Sequence, residues 1–309
     1  MKKTTTLATK LFLMLFALSS FNVWAQKAAH EFSVYADGGI STYCFQPSTR
    51  EVNFDGLSNT NKPGFKVNSS IGFCSDMGIG FTGFFSHQVG IHTSAGFGLM
   101  NVKSKANLYY ITKGLTDRNG EETELHTRLI NYTEIHKTMY VTIPVMLQFQ
   151  TRMKQYWNFS KSQKVGFYAM GGVKLSFLFN NKFEAGVDSL FNAGYYPKFN
   201  NWAATQKFEL LGDFGGSSSE GKLDFGVLVS VAVEMGVKWR IDKNIFVYTG
   251  AFFDCGLNDP IKDKRLPYGS FIDPNQLSDL SLLKFSDRIN LMMAGIKLRF
   301  AFTRNQRPF

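Results

Sequence analysis

The stretch LDFGVLVSVAVEMGVKWR (residues 223–240) is greasy enough for a membrane helix, yet it carries Asp224, Glu234, Lys238 and Arg240. A helix would place Glu234 in hydrocarbon at a cost of roughly 2.5–3.5 kcal/mol. A strand removes the conflict, because successive side chains point to opposite faces. Leu223, Phe225, Val227, Val229, Val231, Val233, Met235, Val237 and Trp239 then share one face, while the four charges share the other. In a chain that is 44% apolar, nine such positions in a row arise by accident about 0.2 times over the whole length. Recurrence therefore decides the matter.

The pattern recurs, giving eight segments in all. Residues 31–45 alternate Phe32, Val34, Ala36 and Ile40 with Ser33, Tyr35, Asp37 and Ser41. Residues 65–85 set Ile71, Phe73, Met77, Ile79 and Phe81 against Asp76 and small residues. The alternation continues from Val89 to about residue 104, through the segment ending in YVTIPVMLQFQ, and over residues 164–183. After the opening segment it returns at 245–257, where Phe246, Tyr248 and Phe252 sit opposite Ile245, Val247 and Phe253. It ends around Ile296, Leu298, Phe300 and Phe302. The expected class is all-β.

Connection lengths sharpen this. Runs at 86–88, 150–163 and 241–244 are short or modest, whereas 46–64, 105–128, 184–222 and 257–288 are long, and the two kinds alternate. Long loops gathered at one end, short turns at the other and an even strand count are the pattern of a transmembrane antiparallel up-and-down barrel. Closure is required because unpaired backbone groups cannot be left in lipid. An extra hairpin within 184–222 would raise the count to ten.

The first residues have the form of a secretory signal: Lys2, Lys3 and Lys10, an apolar run at 11–18, then Val23–Trp24–Ala25. Cleavage after Ala25 would leave a barrel domain at 26–309 and lower the formal charge from +10 to about +7. A basic exported chain without a basic cluster or nucleic-acid motif points away from nucleic acid and toward anionic lipid head groups, including those of lipopolysaccharide. Cys44, Cys74 and Cys255 have neither metal nor redox spacing.

Motifs of soluble chemistry do not survive their context. GIGFTG (78–83) matches a nucleotide-binding pattern but lies inside a strand and is followed by another turn and strand. Its glycines make room inside a narrow barrel instead. His92, Ser94 and Asp76 could suggest a hydrolase, but pairing about the 86–88 turn sets His92 opposite Thr82 and Asp76 near Phe97, more than about 15 Å away along the strands. Catalytic, cofactor and metal sites are therefore not expected.

The inward faces carry Asp37, Lys174, Glu234, Lys238, Lys297 and Arg299. Two interior pairs are expected: Asp37 with Lys297, and Glu234 with Lys174. An eight-stranded barrel is filled by its side chains, which makes such pairs structural; an ion pathway is the rival reading. In the 184–222 connection, Tyr195, Tyr196, Phe199 and Trp202 form an aromatic cluster. It either packs between strands prolonged beyond the membrane or forms a surface patch for a protein or glycan partner.

The whole arrangement resembles the small outer-membrane barrels of the OmpA-like and PorT-like kind found in Gram-negative bacteria. YVTIPVMLQF (140–149) is similar to the Ile-Pro strand of PorT-like barrels of Bacteroidetes. GIKLRF (295–300) is similar to the terminal signal read by the barrel-assembly machinery, although AFTRNQRPF follows it here. The resemblance implies outer-membrane location and assembly by that machinery. The expected form is a monomer with an accessory role in secretion or surface assembly, a narrow pore or a lipid or peptide hydrolase being the alternatives. The resemblance itself implies no chemistry.

Overall fold

A computed structural model describes residues 30–46, 66–117, 119–153, 163–203, 211–262, 281–286 and 288–304. The signal segment lies outside these residues. Among these residues thirteen strands are formed: β1 (His30–Gln46), β2 (Lys66–Ser70), β3 (Gly72–Phe84), β4 (Val89–Thr116), β5 (Glu122–Gln150), β6 (Val165–Val187), β7 (Ser189–Tyr196), β8 (Asn201–Ala203), β9 (Gly212–Asp213), β10 (Ser217–Lys222), β11 (Val227–Arg240), β12 (Ile245–Gly256) and β13 (Arg288–Arg304). A 3-10 turn, Leu282–Phe285, precedes β13.

Eight of these strands close a ring in the order β1, β3, β4, β5, β6, β11, β12, β13, every neighbour antiparallel. The seam is the long β1–β13 ladder, from His30 opposite Arg304 to Gln46 opposite Arg288. The stagger can be read from interior residues. Stepping between partners from Glu31 leads through Thr82, His92, Met146, Gly172, Ala232, Asp254 and Met293 to Ser41, ten residues further along β1. That shear tilts the strands by about 40°.

Burial follows the alternation along the ring strands, but not at residues 223–225. The chain there lies outside β11: Leu223 and Phe225 are buried in the core, Phe225 bridges Ile261, and Asp224 is exposed. Phe32 and Val34 on β1, Phe97 and Leu99 on β4, Phe177 and Phe179 on β6, Met235 on β11 and Leu298 and Phe300 on β13 are all exposed. Ile296 is 75% exposed and Ile71 68%. A continuous apolar belt around a closed sheet suits lipid. The chain is therefore a transmembrane eight-stranded β-barrel. On β12, whose pattern was ambiguous, Phe246, Tyr248 and Phe252 point inward and Phe253 outward. Glycines make the room expected of them: a Cβ on Gly80 would come within 2.8 Å of the His92 ring, and one on Gly98 within 2.3 Å of the Tyr140 ring.

Two expectations about connections need correction. Residues 105–128 are not a loop but the continuation of β4 and β5, which pair out to Thr116 and Glu122. Inward Ala106, Leu108 and Leu129 keep the alternation going, and they bury against the rest of the core. Within 184–222 the chain forms β7 to β10, but the ring stays at eight. β7 pairs with the upper part of β5 and β8 with β7, so these strands widen the projecting sheet above the belt. From Leu99, the last outward residue of the lipid-facing run on β4, to Tyr109 the sheet rises roughly 25 Å.

Candidate functional site

The barrel interior is charged and internally neutral. Glu31, Asp37, Asp76, Glu234 and Asp254 face Lys174, Lys238, Arg240, Lys297 and Arg299, and all are buried or nearly so. Lys297 lies 3.7 Å from Asp37 and 3.4 Å from Glu234. Tyr168 donates its hydroxyl to Glu234 at 2.7 Å. Lys238 reaches Glu31 at 2.7 Å, and Tyr248 donates to the same carboxylate. The Arg299 guanidinium stacks 4.0 Å from the Tyr248 ring centre and bonds Gln148.

The expected Glu234–Lys174 pair does not form. Glu234 stands opposite Met170 and Lys174 opposite Ser230, four residues along the same ladder and roughly 13 Å away. Lys174 instead bridges Asp254 at 2.9 Å and Asp76 at 3.7 Å. Thr142 also donates to Asp76. His92 is tied to Thr82 by a 2.9 Å contact, far from Asp76, so these residues form no catalytic triad. Between the Lys174 and Lys297 groups lies a cavity of about 20 Å3, lined by Asp37, Asp76, Glu234, Asp254 and apolar neighbours. That is room for one water.

Above the ionic layers the lumen is closed by an apolar core containing Tyr43, Met100, Tyr140, Leu178, Phe183 and Leu291. Leu282 and Leu283 of the 3-10 turn insert into it and are fully buried. Glu134 of β5 holds the turn, accepting hydrogen bonds from the Ser281 hydroxyl and the Leu282 amide. It lies above the belt, its outward neighbours being Ile135 and the exposed Lys137. Burial raises the Glu134 carboxyl to about 8, outweighing the Ser281 and Leu282 hydrogen bonds and the Lys284 charge. Burial likewise lowers the His136 imidazole to about 3. The two side chains, 3.3 Å apart, are thus a neutral acid and a neutral base at physiological pH.

The loop aromatics divide. Tyr195 and Trp202 stand on adjacent strands with ring centres 4.9 Å apart. They join two rings that the sequence reading did not pick out, His126 and Tyr109. His126 is 4.6 Å from Trp202, and Tyr109 touches the His126 Nδ1 at 2.6 Å. Partial burial holds the His126 imidazole below its ordinary range, and its Nδ1 shares a hydrogen bond with the Tyr109 hydroxyl. Buried Ala193, the partner of His126 on β7, leaves room for the rings. Trp202 remains 54% exposed and Tyr109 44%. Lys113 and Glu124, paired at 3.1 Å, and Asn200, bonded to the Tyr195 hydroxyl, edge the platform. Phe199 is separate, exposed at the turn beneath Lys198, and Tyr196 stands opposite Asn201 at the end of the β7–β8 ladder. The signal for His126 and Tyr109 was the outward parity of β4 and β5 above residue 104.

Neither a protein-family model nor a curated protein matches the sequence. Among solved structures, the chain is similar to the outer membrane protein OprG from Pseudomonas aeruginosa. Identity is 12%, coverage 88% of this chain and 96% of that one, and the TM-score 0.35. It is also similar to Ail, the attachment invasion locus protein of Yersinia pestis, seen with the heparin analogue sucrose octasulfate. There identity is 9%, coverage 88% and 99%, and the TM-score 0.29. The barrel assignment rests on the closed ladder and apolar belt of this chain itself.

Lys238→Met leaves Glu31 buried without its cation and is expected to cost about 3–5 kcal/mol in denaturant unfolding of the detergent-solubilised barrel. Adding Glu31→Gln should return part of that loss. The Glu134 latch has a defined pH sense. Its folded pKa lies above the unfolded one, so its contribution to docking is fully present below about pH 4.5 and is lost as pH rises through about 8. Exchange protection of the Leu282 amide, corrected for intrinsic rates, should therefore fall over that window in the native chain. It should be insensitive to pH in Glu134→Gln.

Proposed function

We propose that this protein is an outer-membrane recognition module. It is exported by its N-terminal signal, anchored by a non-conducting barrel, and active through the aromatic platform at the top of its projecting sheet. One observation carries the reading: four rings from four strands, Tyr109, His126, Trp202 and Tyr195, are gathered on an exposed face held by continuous β-ladders. Large rings left in water on a rigid support are unfavourable unless something covers them.

The platform suits a saccharide. Open Trp and Tyr faces stack on the C–H faces of sugar rings, while the Lys113–Glu124 pair and Asn200 at the edge offer donors and acceptors to hydroxyls. Its height above the lipid belt is that of surface polysaccharide. An accessory role in secretion or surface assembly, the role expected from the sequence, is the same reading with a glycan-bearing cargo as ligand.

The balanced interior charges and the one-water cavity favour an anchor over a pore. Catalysis has no support from the arrangement of His92, Ser94 and Asp76.

Titration of cell-surface polysaccharide fragments against the barrel in nanodiscs should give saturable binding that Trp202→Ala weakens by about fivefold to a hundredfold, with melting unchanged, taking stacking on an aromatic ring as about 1–3 kcal/mol. Binding that survives replacement of all four rings would overturn the assignment. Planar bilayers containing the purified barrel should show no discrete conductance steps; steady steps would restore the pore.

A further inference from the structure

Just above the lipid belt, three lysines stand directly opposite one another on three neighbouring strands. Lys222 of β10 is the partner of Lys182 on β6, and Lys182 is the partner of Lys137 on β5. All three are exposed on the outward face. Directly opposed like charges destabilise a sheet by roughly 0.2–1 kcal/mol per pair. The protein answers only part of that repulsion. Glu184 pairs with Lys137, and Glu220 is the other outward acid on the adjoining row. Lys182 and Lys222 have no acid within ion-pair distance among the described residues. Lys103 and Lys105 of β4 extend the basic surface upward.

The height of the row is fixed by register. Met139 of β5 and Phe179 of β6, an outward apolar pair, lie two residues from Lys137 and three from Lys182 across a register shift, and Leu99 of β4 stands beside Met139. That places the ammonium groups one outward step, roughly 7 Å along the strand, above the last side chains in contact with acyl tails. Phosphates of lipid head groups occupy this layer. The row lies on the long-loop side, which faces the outer leaflet. Across three strands it is roughly 9–10 Å wide, broader than one phosphate needs.

We infer that Lys137, Lys182 and Lys222 form a binding site for a phosphorylated glycolipid of the outer leaflet, its phosphates supplying the counter-charge that the protein omits. The site is independent of the aromatic platform.

The test uses the full barrel extracted into detergent, mixed with bisphosphoryl lipid A, monophosphoryl lipid A or phosphatidylglycerol, and read by native mass spectrometry. The native chain should retain bisphosphoryl lipid A, less of the monophosphoryl form, and little phosphatidylglycerol. The K137Q/K182Q/K222Q variant should lose about tenfold or more of that retention, given about 1 kcal/mol per lysine near an anionic surface. K113Q/K198Q, which alters lysines of the projecting sheet, should retain the lipid as the native chain does. Equal retention by native and triple-variant barrels would overturn the site, and so would retention indifferent to phosphate number. Equal retention of phosphatidylglycerol would overturn the glycolipid as occupant. Should the triple variant fail to fold, judged by its heat-modifiable migration on gels, K182Q alone carries the test with a graded loss.

Discussion

Everything in this structure follows from one constraint: a sheet in hydrocarbon cannot have a free edge. Each unpaired amide or carbonyl would be left without water, at several kcal/mol apiece. The chain meets this by zipping its first barrel strand to its last, from His30 with Arg304 to Gln46 with Arg288. Closure then dictates what each face must be. Outward residues meet acyl tails and are Phe, Val, Ile and Leu. Inward residues meet one another in a lumen about eight strands around, too narrow for bulk water.

That narrowness explains the ionic interior. A lone charge there would be prohibitive, so carboxylates and cations are present in matching number, and the carboxylates also accept from the hydroxyls of Tyr168, Tyr248 and Thr142. Such networks are weak sources of net stability, because desolvation offsets most of the attraction. Their consequence is specificity: slipping one strand by a residue would send Lys174 or Glu234 into lipid. The apolar plug at the outer mouth belongs to the same logic. Leu282 and Leu283 seal the column, and Glu134 satisfies the backbone and hydroxyl groups that the seal would otherwise strand.

How much of this could be read from the sequence depends on range. Period-two alternation made the eight membrane strands and most of their faces legible, since it is a local property of each strand; it left β12 open and misassigned Leu223, Asp224 and Phe225, which precede β11. The Asp37–Lys297 contact was legible too, because both residues sit on the seam and are direct partners. Lys238 with Glu31 was not. These residues face each other across the lumen from strands that do not touch, and only the ten-residue stagger brings them level. The same stagger defeated the Glu234–Lys174 pairing. Half of the platform was visible as Tyr195 and Trp202. His126 and Tyr109 were passed over because strands above the membrane carry polar outward residues and look like loop. The latch left no periodic trace at all: SLLKF is a short run whose meaning depends on what lies beneath it.

The central claim is that the alternating face of these strands meets lipid up to a definite height and water above it. Spin labels at successive outward positions of β4, from Ile91 through Phe97 and Leu99 to Lys103, Lys105 and Tyr109, in a cysteine-free background in nanodiscs, test it directly. The structure predicts preferential access of oxygen from Ile91 to Leu99, and a switch to access by a water-soluble nickel complex from Lys103 upward. Nickel access at every position, with no switch near Leu99, would contradict a membrane-spanning barrel.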